Sequence, residues 1–419
     1  MSEPDEPIEE LLRELAPQVL AALVRQHGQL DACEDATQEA LLAAVTQWPT
    51  DGVPKQPRAW VLTVARRSLI DQWRSDSARR QREERAAEAE PPRGPSDIDE
   101  QPPDRDDTLA LLFMCCHPDL SRSAQVALTL RAVGGLTTKE IAAAYFVPEA
   151  TMAKRITRAK QAIVQSGARL DPPPADEIAG RLDVVLSVLY LIFNEGYTAS
   201  SGPDLHRVDL TSEAIRLTRL LRRLMPSDGE VAGLLALMLL TDARRPARTD
   251  PDGSLVPLED QDRSRWDAAA IHEGLALLND TLGRFPVGQY QLQAAIAAVH
   301  DEAVAADATD WPQILALYDT LERVAPSPMV TLSRAVALAN VRGPRAGLAL
   351  LGTLDRDDSA VRSHRLDAVR GHLLERAGDM ALARDAYLRA ARATQSLPEQ
   401  RYLQLRASRL GGRSRHPLD

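Results

Sequence analysis

The sequence is short of aromatic residues, cysteine and long apolar runs, and each shortage removes a class of protein. Phe, Trp and Tyr make up 4% of 419 residues, a poor supply for sandwich cores, whereas the helix formers Ala, Leu and Arg abound. Three cysteines, Cys33, Cys115 and Cys116, cannot build a disulfide framework, and an adjacent pair with no second pair lacks zinc-ligand spacing. The longest nearly unbroken apolar runs, Val184 to Phe193 and Val231 to Leu240, fall short of the ~18 to 20 residues of a membrane span. The opening Met1 to Glu10 is acidic rather than signal-like. An all-α, soluble, cytoplasmic protein with no membrane contact is expected, long enough for roughly two to four domains.

Charge is unevenly placed. The net charge of −10 argues against nucleic acid only until it is resolved along the chain. From Ser121 to Leu170 eight Lys or Arg face two acids, and from Arg58 to Arg85 eight arginines face four acids. Between these basic segments, Glu88 to Asp107 carries eight acids, two arginines and five prolines with almost nothing apolar. Such a stretch cannot repay its chain entropy by burial and reads as a flexible acidic tether. A second break is Asp171-Pro172-Pro173-Pro174. Beyond it, Leu182, Val185, Leu186, Leu189 and Ile192 recur at helical spacing, as do Ile215, Leu217, Leu220, Leu221 and Leu224. The tail repeats itself: Asp310 and Tyr318 match Asp379 and Tyr387 at an offset of 69 residues, with Arg342-Gly343-Pro344 about midway. Half of 69 is the ~34-residue period of tetratricopeptide helix pairs; an irregular helical bundle is the plainer reading.

The sharpest local signal is Leu136-Thr137-Thr138-Lys139-Glu140-Ile141. Thr137 as N-cap with Glu140 three residues on is a capping box, with Leu136 and Ile141 placed as a hydrophobic staple. The helix it starts is interrupted around Tyr145-Phe146-Val147-Pro148 and a second begins at Pro148 or Glu149. On that second helix Thr151, Lys154, Arg155 and Arg158 share one face, and Met152, Ile156, Ala159 and Ile163 the other. A cationic stripe over an apolar one suits a recognition helix in a major groove; the plainer alternative is a solvated face.

These residues, Thr137 to Ala142, Val147 to Met152 and Arg155 to Ala159, resemble region 4 of extracytoplasmic-function RNA polymerase sigma factors. Glu34 to Leu41, Trp48-Pro49, Pro57 to Val61 and Ala65 to Asp71 resemble region 2 of the same family, in the right order. The C-terminal region resembles the subgroup with a long tetratricopeptide-like helical extension. The resemblance implies a region 2 domain at 10–85, an acidic linker at 86–107, a region 4 domain at 108–170, a helical extension at 175–300 and repeats at 301–412. It implies core RNA polymerase as partner, through its β′ clamp and β flap, and promoter DNA. Asp35, Gln38, Glu39 and Leu42 would dock on the clamp. The loop Gln47 to Pro57, with Trp48 and Lys55, would capture an unstacked minus-ten base, an exchange that stacking and phosphate contacts must make favourable. Arg58, Trp60, Arg66, Arg67, Asp71 and Arg74 would lie beside that DNA, Trp60 and Trp73 being either stacking residues or core. Thr138, Lys139, Glu149, Thr151, Lys154, Arg155 and Arg158 would read the minus-thirty-five element. Two departures stand out: the glycine usual in the turn is replaced near Phe146, and that usual at Ala150 is absent.

Cys115-Cys116-His117-Pro118 ends an apolar helix and, with Cys33, either binds metal or senses oxidation, or is ordinary buried thiol. Asn194, Glu195 and Tyr197, with His206 and Asp209, gather polar groups after an apolar helix, as a regulatory contact or as a loop with satisfied hydrogen bonds. No Walker loop, nucleophile elbow or metal pair occurs, so no enzyme, cofactor or metal is expected. The leading expectation is a promoter-specificity factor controlled by contacts between its extension and its DNA-binding units. A ligand-responsive helix-turn-helix regulator acting without polymerase is the alternative, and a repeat-based adaptor the third.

Overall fold

A computed structural model describes residues 6–84, 107–145, 147–167, 170, 174, 177–354 and 364–412. Residues 86–106 of the expected tether, the turn residue Phe146 and most of the triproline break lie outside the described residues; the tether's last residue, Asp107, is buried rather than free in solvent. Those described form eighteen α-helices and a single two-stranded pairing, an all-α protein. They pack as two compact units, residues 1–143 with 147–188, and 144–146 with 189–419.

The first unit begins with α1 (Glu6–His27), α2 (Leu30–Asp51) and α3 (Pro57–Glu84). The α2 helix runs through Pro49 and closes when the Gly52 N–H, at φ 83°, donates to the Trp48 carbonyl. The loop expected at Gln47 to Pro57 is therefore only Gly52 to Gln56. Near a C-terminus a proline forfeits one helical hydrogen bond but need not end the helix. The unit continues with α4 (Thr108–Cys115), α5 (Arg122–Ala132), α6 (Thr138–Ala144) and α7 (Glu149–Ser166). The capping box forms: the Thr137 N–H donates to Glu140 Oε2 at 2.7 Å and the Glu140 N–H to Thr137 Oγ1 at 3.2 Å. Helix α7 buries Met152, Ile156, Ala159 and Ile163 and ends on left-handed Gly167, so its apolar stripe faces the core as the sequence predicts.

Helix α8 (Ile178–Tyr197) contributes its first half to the first unit and its second half to the second. The second unit then contains α9 (Val208–Leu224), α10 (Gly229–Asp242), α11 (Ala268–Thr281) and α12 (Gln289–Glu302). Asp228 caps α10 by accepting from the Glu230 and Val231 N–H groups at 2.9 Å. Every residue from Val231 to Leu240 is buried, because α10 is flanked by α9, α11 and α12. A Cβ at Gly233 would lie 2.6 Å from the Gln291 backbone nitrogen, so glycine sets how closely α10 and α12 approach.

The array continues with α13 (Trp311–Val324), α14 (Pro328–Arg342), α15 (Pro344–Leu354), α16 (His364–Arg376), α17 (Met380–Ala393) and α18 (Leu397–Gly412). Alternate helices begin 33 and 36 residues apart, and each packs on the next, which is the helix-pair period behind the 69-residue offset. A short parallel pairing of β1 (Ser201–Gly202) with β2 (Gln395–Ser396) ties the last helix pair back to the segment after α8.

Candidate nucleic-acid and polymerase interface

On α7, Thr151, Lys154 and Arg158 are exposed and Arg155 half-buried. With the start of α5, at Ser121, Ser123 and Ala124, three of these cations wall a groove of 450 Å³ that carries one carboxylate, Asp119, at its edge. Lys154, Arg155 and Arg158 have no ion-pair partner among the described residues, so their charge is available to phosphate or base edges. Lys139 and Glu149, at the starts of α6 and α7, are exposed and Thr138 is half-buried; none of the three lines the groove.

The α2–α3 part divides differently. Lys55 and Arg67 are exposed, Arg58 and Arg66 half-buried, and Asp71 lies 3.6 Å from Arg74 with both side chains open to solvent. Trp48, expected at DNA, is instead 2% exposed and packs edge-on against half-buried Trp60 with ring centroids 5.5 Å apart. Its helix turns the indole inward because α2 continues past Trp48, so the residue holds α2 to α3 rather than meeting a base. Trp73 packs edge-on against His27.

The α2 face expected at polymerase presents exposed Asp35 and Leu42, the latter 67% exposed, and half-buried Gln38. Glu39 is exposed but accepts hydrogen bonds from Ser68 Oγ and Gln72 Nε2, which ties it to α3. Val45, one turn beyond Leu42 and also exposed, belongs to the same stripe and was missed because valine carries no polar signal. Two adjacent exposed apolar side chains in an acidic frame suit a protein partner.

A cluster no spacing rule suggested lies at the start of α2. The buried Glu34 carboxylate meets Arg131 Nε of α5 and Lys160 Nζ of α7, the latter at 2.8 Å, while Lys160 also donates to Asp31 at 2.6 Å. Burial works against the Lys160 ammonium, yet Glu34 and Asp31 outweigh it and hold its pKa above the ordinary value. Burial, then neighbouring Glu34, raises the pKa of Asp35. Arg25 of α1 pairs with Asp107 at 2.5 Å. Lys160, counted from sequence with the basic segment, thus faces carboxylates.

The polar groups after α8 bond largely among themselves, except that His206 Nε2 is buried without a hydrogen-bond partner among the described residues. Glu195 Oε1 accepts from Ser200 N and Oγ at 3.0 Å, Arg207 grips Asp209, and His206 Nδ1 lies 2.9 Å from the Tyr197 carbonyl. The Arg248 guanidinium stacks 3.6 Å from the Tyr197 ring centroid and donates to Thr198 Oγ1. Asn194 bonds Tyr190. The three cysteines are buried and free, and burial pushes the Cys33 and Cys116 thiols up to about 12, leaving little thiolate to react. No cluster able to hold a metal occurs among the described residues, nor any helix long and apolar enough to cross a membrane.

Residues 11–79 match sigma-70 region 2, residues 110–163 match sigma-70 region 4, and residues 181–282 match a family of unknown function (DUF6596). An uncharacterized protein of Rhizobium meliloti (strain 1021) is 41% identical over 404 residues, covering 94% of this chain and 93% of its own. With regions 2 and 4 in order on a helical chain, and an extension beyond them, the protein belongs to the extracytoplasmic-function type of sigma-70 RNA polymerase sigma factors with a C-terminal extension.

Proposed function

We propose that the chain directs promoter-specific initiation by core RNA polymerase and that its C-terminal helices regulate it. The observation that carries this reading is the pairing, in one unit, of a groove walled by Lys154, Arg155 and Arg158 with the Asp35–Leu42–Val45 stripe of α2. The groove supplies backbone-positioning and base-reading cations for the minus-thirty-five element. The stripe supplies the clamp contact, with Gln38 at its side. Lys55, Arg58, Arg66 and Arg67 hold the minus-ten backbone, and Trp60 is the indole nearest to that surface.

The two promoter elements lie roughly 25 base pairs apart, or ~85 Å at 3.4 Å per pair. In this structure Lys160 of the reading helix is bonded to Asp31, only ~26 Å along α2 from Trp48. The Glu34–Arg131–Lys160 contacts therefore describe an arrangement that must open before both elements are engaged. The extension regulates by favouring one arrangement; a preference of ~1 to 3 kcal/mol changes activity ~5- to 150-fold.

The test is transcription in vitro from the protein's own upstream region with core polymerase. Initiation that requires the full chain, and that is lost with Lys154→Glu and Arg158→Glu together, supports the reading. Absence of factor-dependent initiation with a tight shift of the same duplex by the chain alone would favour a regulator that works without polymerase.

A further inference from the structure

The second unit carries an open cleft of 680 Å³ that none of the sigma contacts uses. Its volume lies within the ~300 to 1,000 Å³ of small-molecule sites. The helix pairs build its wall from inner positions: Tyr318 of α13 and Tyr387 of α17 are repeat equivalents, joined by Trp311 and Tyr402. The connection between α10 and α11 adds Leu258 and Arg263 to the lining.

The polar groups of this wall are of two kinds. Some are committed: Arg263 donates to the His300 and Ala303 carbonyls at 2.5 and 2.7 Å, and Arg376 to Asn340 Oδ1 at 3.0 Å. Others are not. Neither the His300 nor the His372 ring makes a hydrogen bond among the described residues, and Tyr402 only accepts one, from Arg406. Burial first, then the nearby arginines Arg244 and Arg263, lowers the His300 pKa to about 4; burial also lowers that of His372. Each ring is thus neutral at pH 7, with one donor and one acceptor to offer. A hydrocarbon would leave these groups unsatisfied, and a net charge would be buried against neutral rings without a counterion. The charges of the lining balance, Glu259 and Asp307 against Arg263 and Arg376.

We propose that this cavity binds a planar, uncharged heteroaromatic compound of about nucleoside size that carries both hydrogen-bond donors and acceptors. The aromatic wall stacks on its faces, and His300, His372 and Tyr402 bond its edge. The site stands apart from the sigma reading, since binding is measured without polymerase or promoter.

Calorimetry on the full chain tests it, with adenosine, guanosine and lumichrome as neutral heteroaromatic probes, indole as apolar control and indole-3-acetate as anionic control. At least one neutral probe is expected to bind with Kd on the order of 100 μM, the affinity usual for about twenty heavy atoms, and both controls at least tenfold more weakly. His372→Leu should weaken binding tenfold or more, while His372→Gln, which keeps a donor and an acceptor, should restore it; circular dichroism verifies that both variants remain folded. The proposal is overturned if no neutral probe binds at 1 mM, if either control matches the best of them, or if His372→Leu folds and binds as the parent does.

Discussion

Glu34 concentrates the first unit's electrostatics in one side chain. Its carboxylate is 3% exposed between Arg131, 17% exposed, and Lys160, 12% exposed, so both cations depend on it more than on water. Removing one partner of a buried pair costs more than the pair itself contributes, because the other charge stays buried. Glu34→Gln is therefore expected to destabilise the first unit by about 3 kcal/mol, read as a lower urea midpoint at unchanged slope. In the second unit His206 and His300 are each lowered to about 4, chiefly by burial. A lowered histidine takes its proton first in the unfolded chain. The stability it contributes is complete above about pH 6.5 and is lost as pH falls toward 4, up to ~3 kcal/mol for each residue. Denaturation of the parent at pH 7 and pH 5 should show this loss, and His206→Gln should reduce it; a flat profile would contradict the neutral state.

Among the elements, the α8–α9 junction and helix α7 make opposite demands. At Gly196 a Cβ would lie 2.5 Å from the Thr211 nitrogen and 2.9 Å from the Arg207 carbonyl oxygen, backbone atoms with no flexible end to yield. Gly196→Ala is expected to cost about 1 to 3 kcal/mol, seen as a lower melting temperature of the second unit. Helix α7 instead spends its outer face on charge that stabilises nothing locally. Replacing Lys154 by Ala should leave melting within a fraction of a degree, yet reduce the slope of log affinity against log salt by about 1 if the residue meets a phosphate. Arg158→Ala should do the same or, as a base contact, relax sequence preference at one position. Unchanged salt dependence in both variants would remove α7 from the interface.

At the scale of the molecule, the proposed function sets the arrangement seen here against one that spans both promoter elements. Lys160→Ala removes the ion pairs to Asp31 and Glu34, which on the proposed function break when both promoter elements are engaged. It should raise factor-dependent transcription at limiting core polymerase about fivefold, equivalent to ~1 kcal/mol of released coupling. A drop instead would place Lys160 on DNA in the active complex. Leu42→Glu, by contrast, should abolish co-purification with core polymerase while leaving thermal melting unchanged, since Leu42 packs on little.

What the sequence determined by itself is whatever rests on a few consecutive turns of helix. The Thr137–Glu140 box, the buried stripe from Met152 to Ile163, the cationic face opposite it and the helix-pair period all depend on neighbours three, four or about 34 residues away, and such spacing is written in the chain. Regions 2 and 4 were legible for the same reason. Tertiary structure decided the rest. It turned Trp48 inward by carrying α2 past Pro49, placed distant Arg248 on Tyr197 and Thr198, and brought Arg131 and Lys160 onto Glu34 and Asp31 across 97 and 129 residues. A charge pair or a cavity wall is a sum over elements that touch only after folding, and no local period encodes which of many carboxylates a given cation will meet.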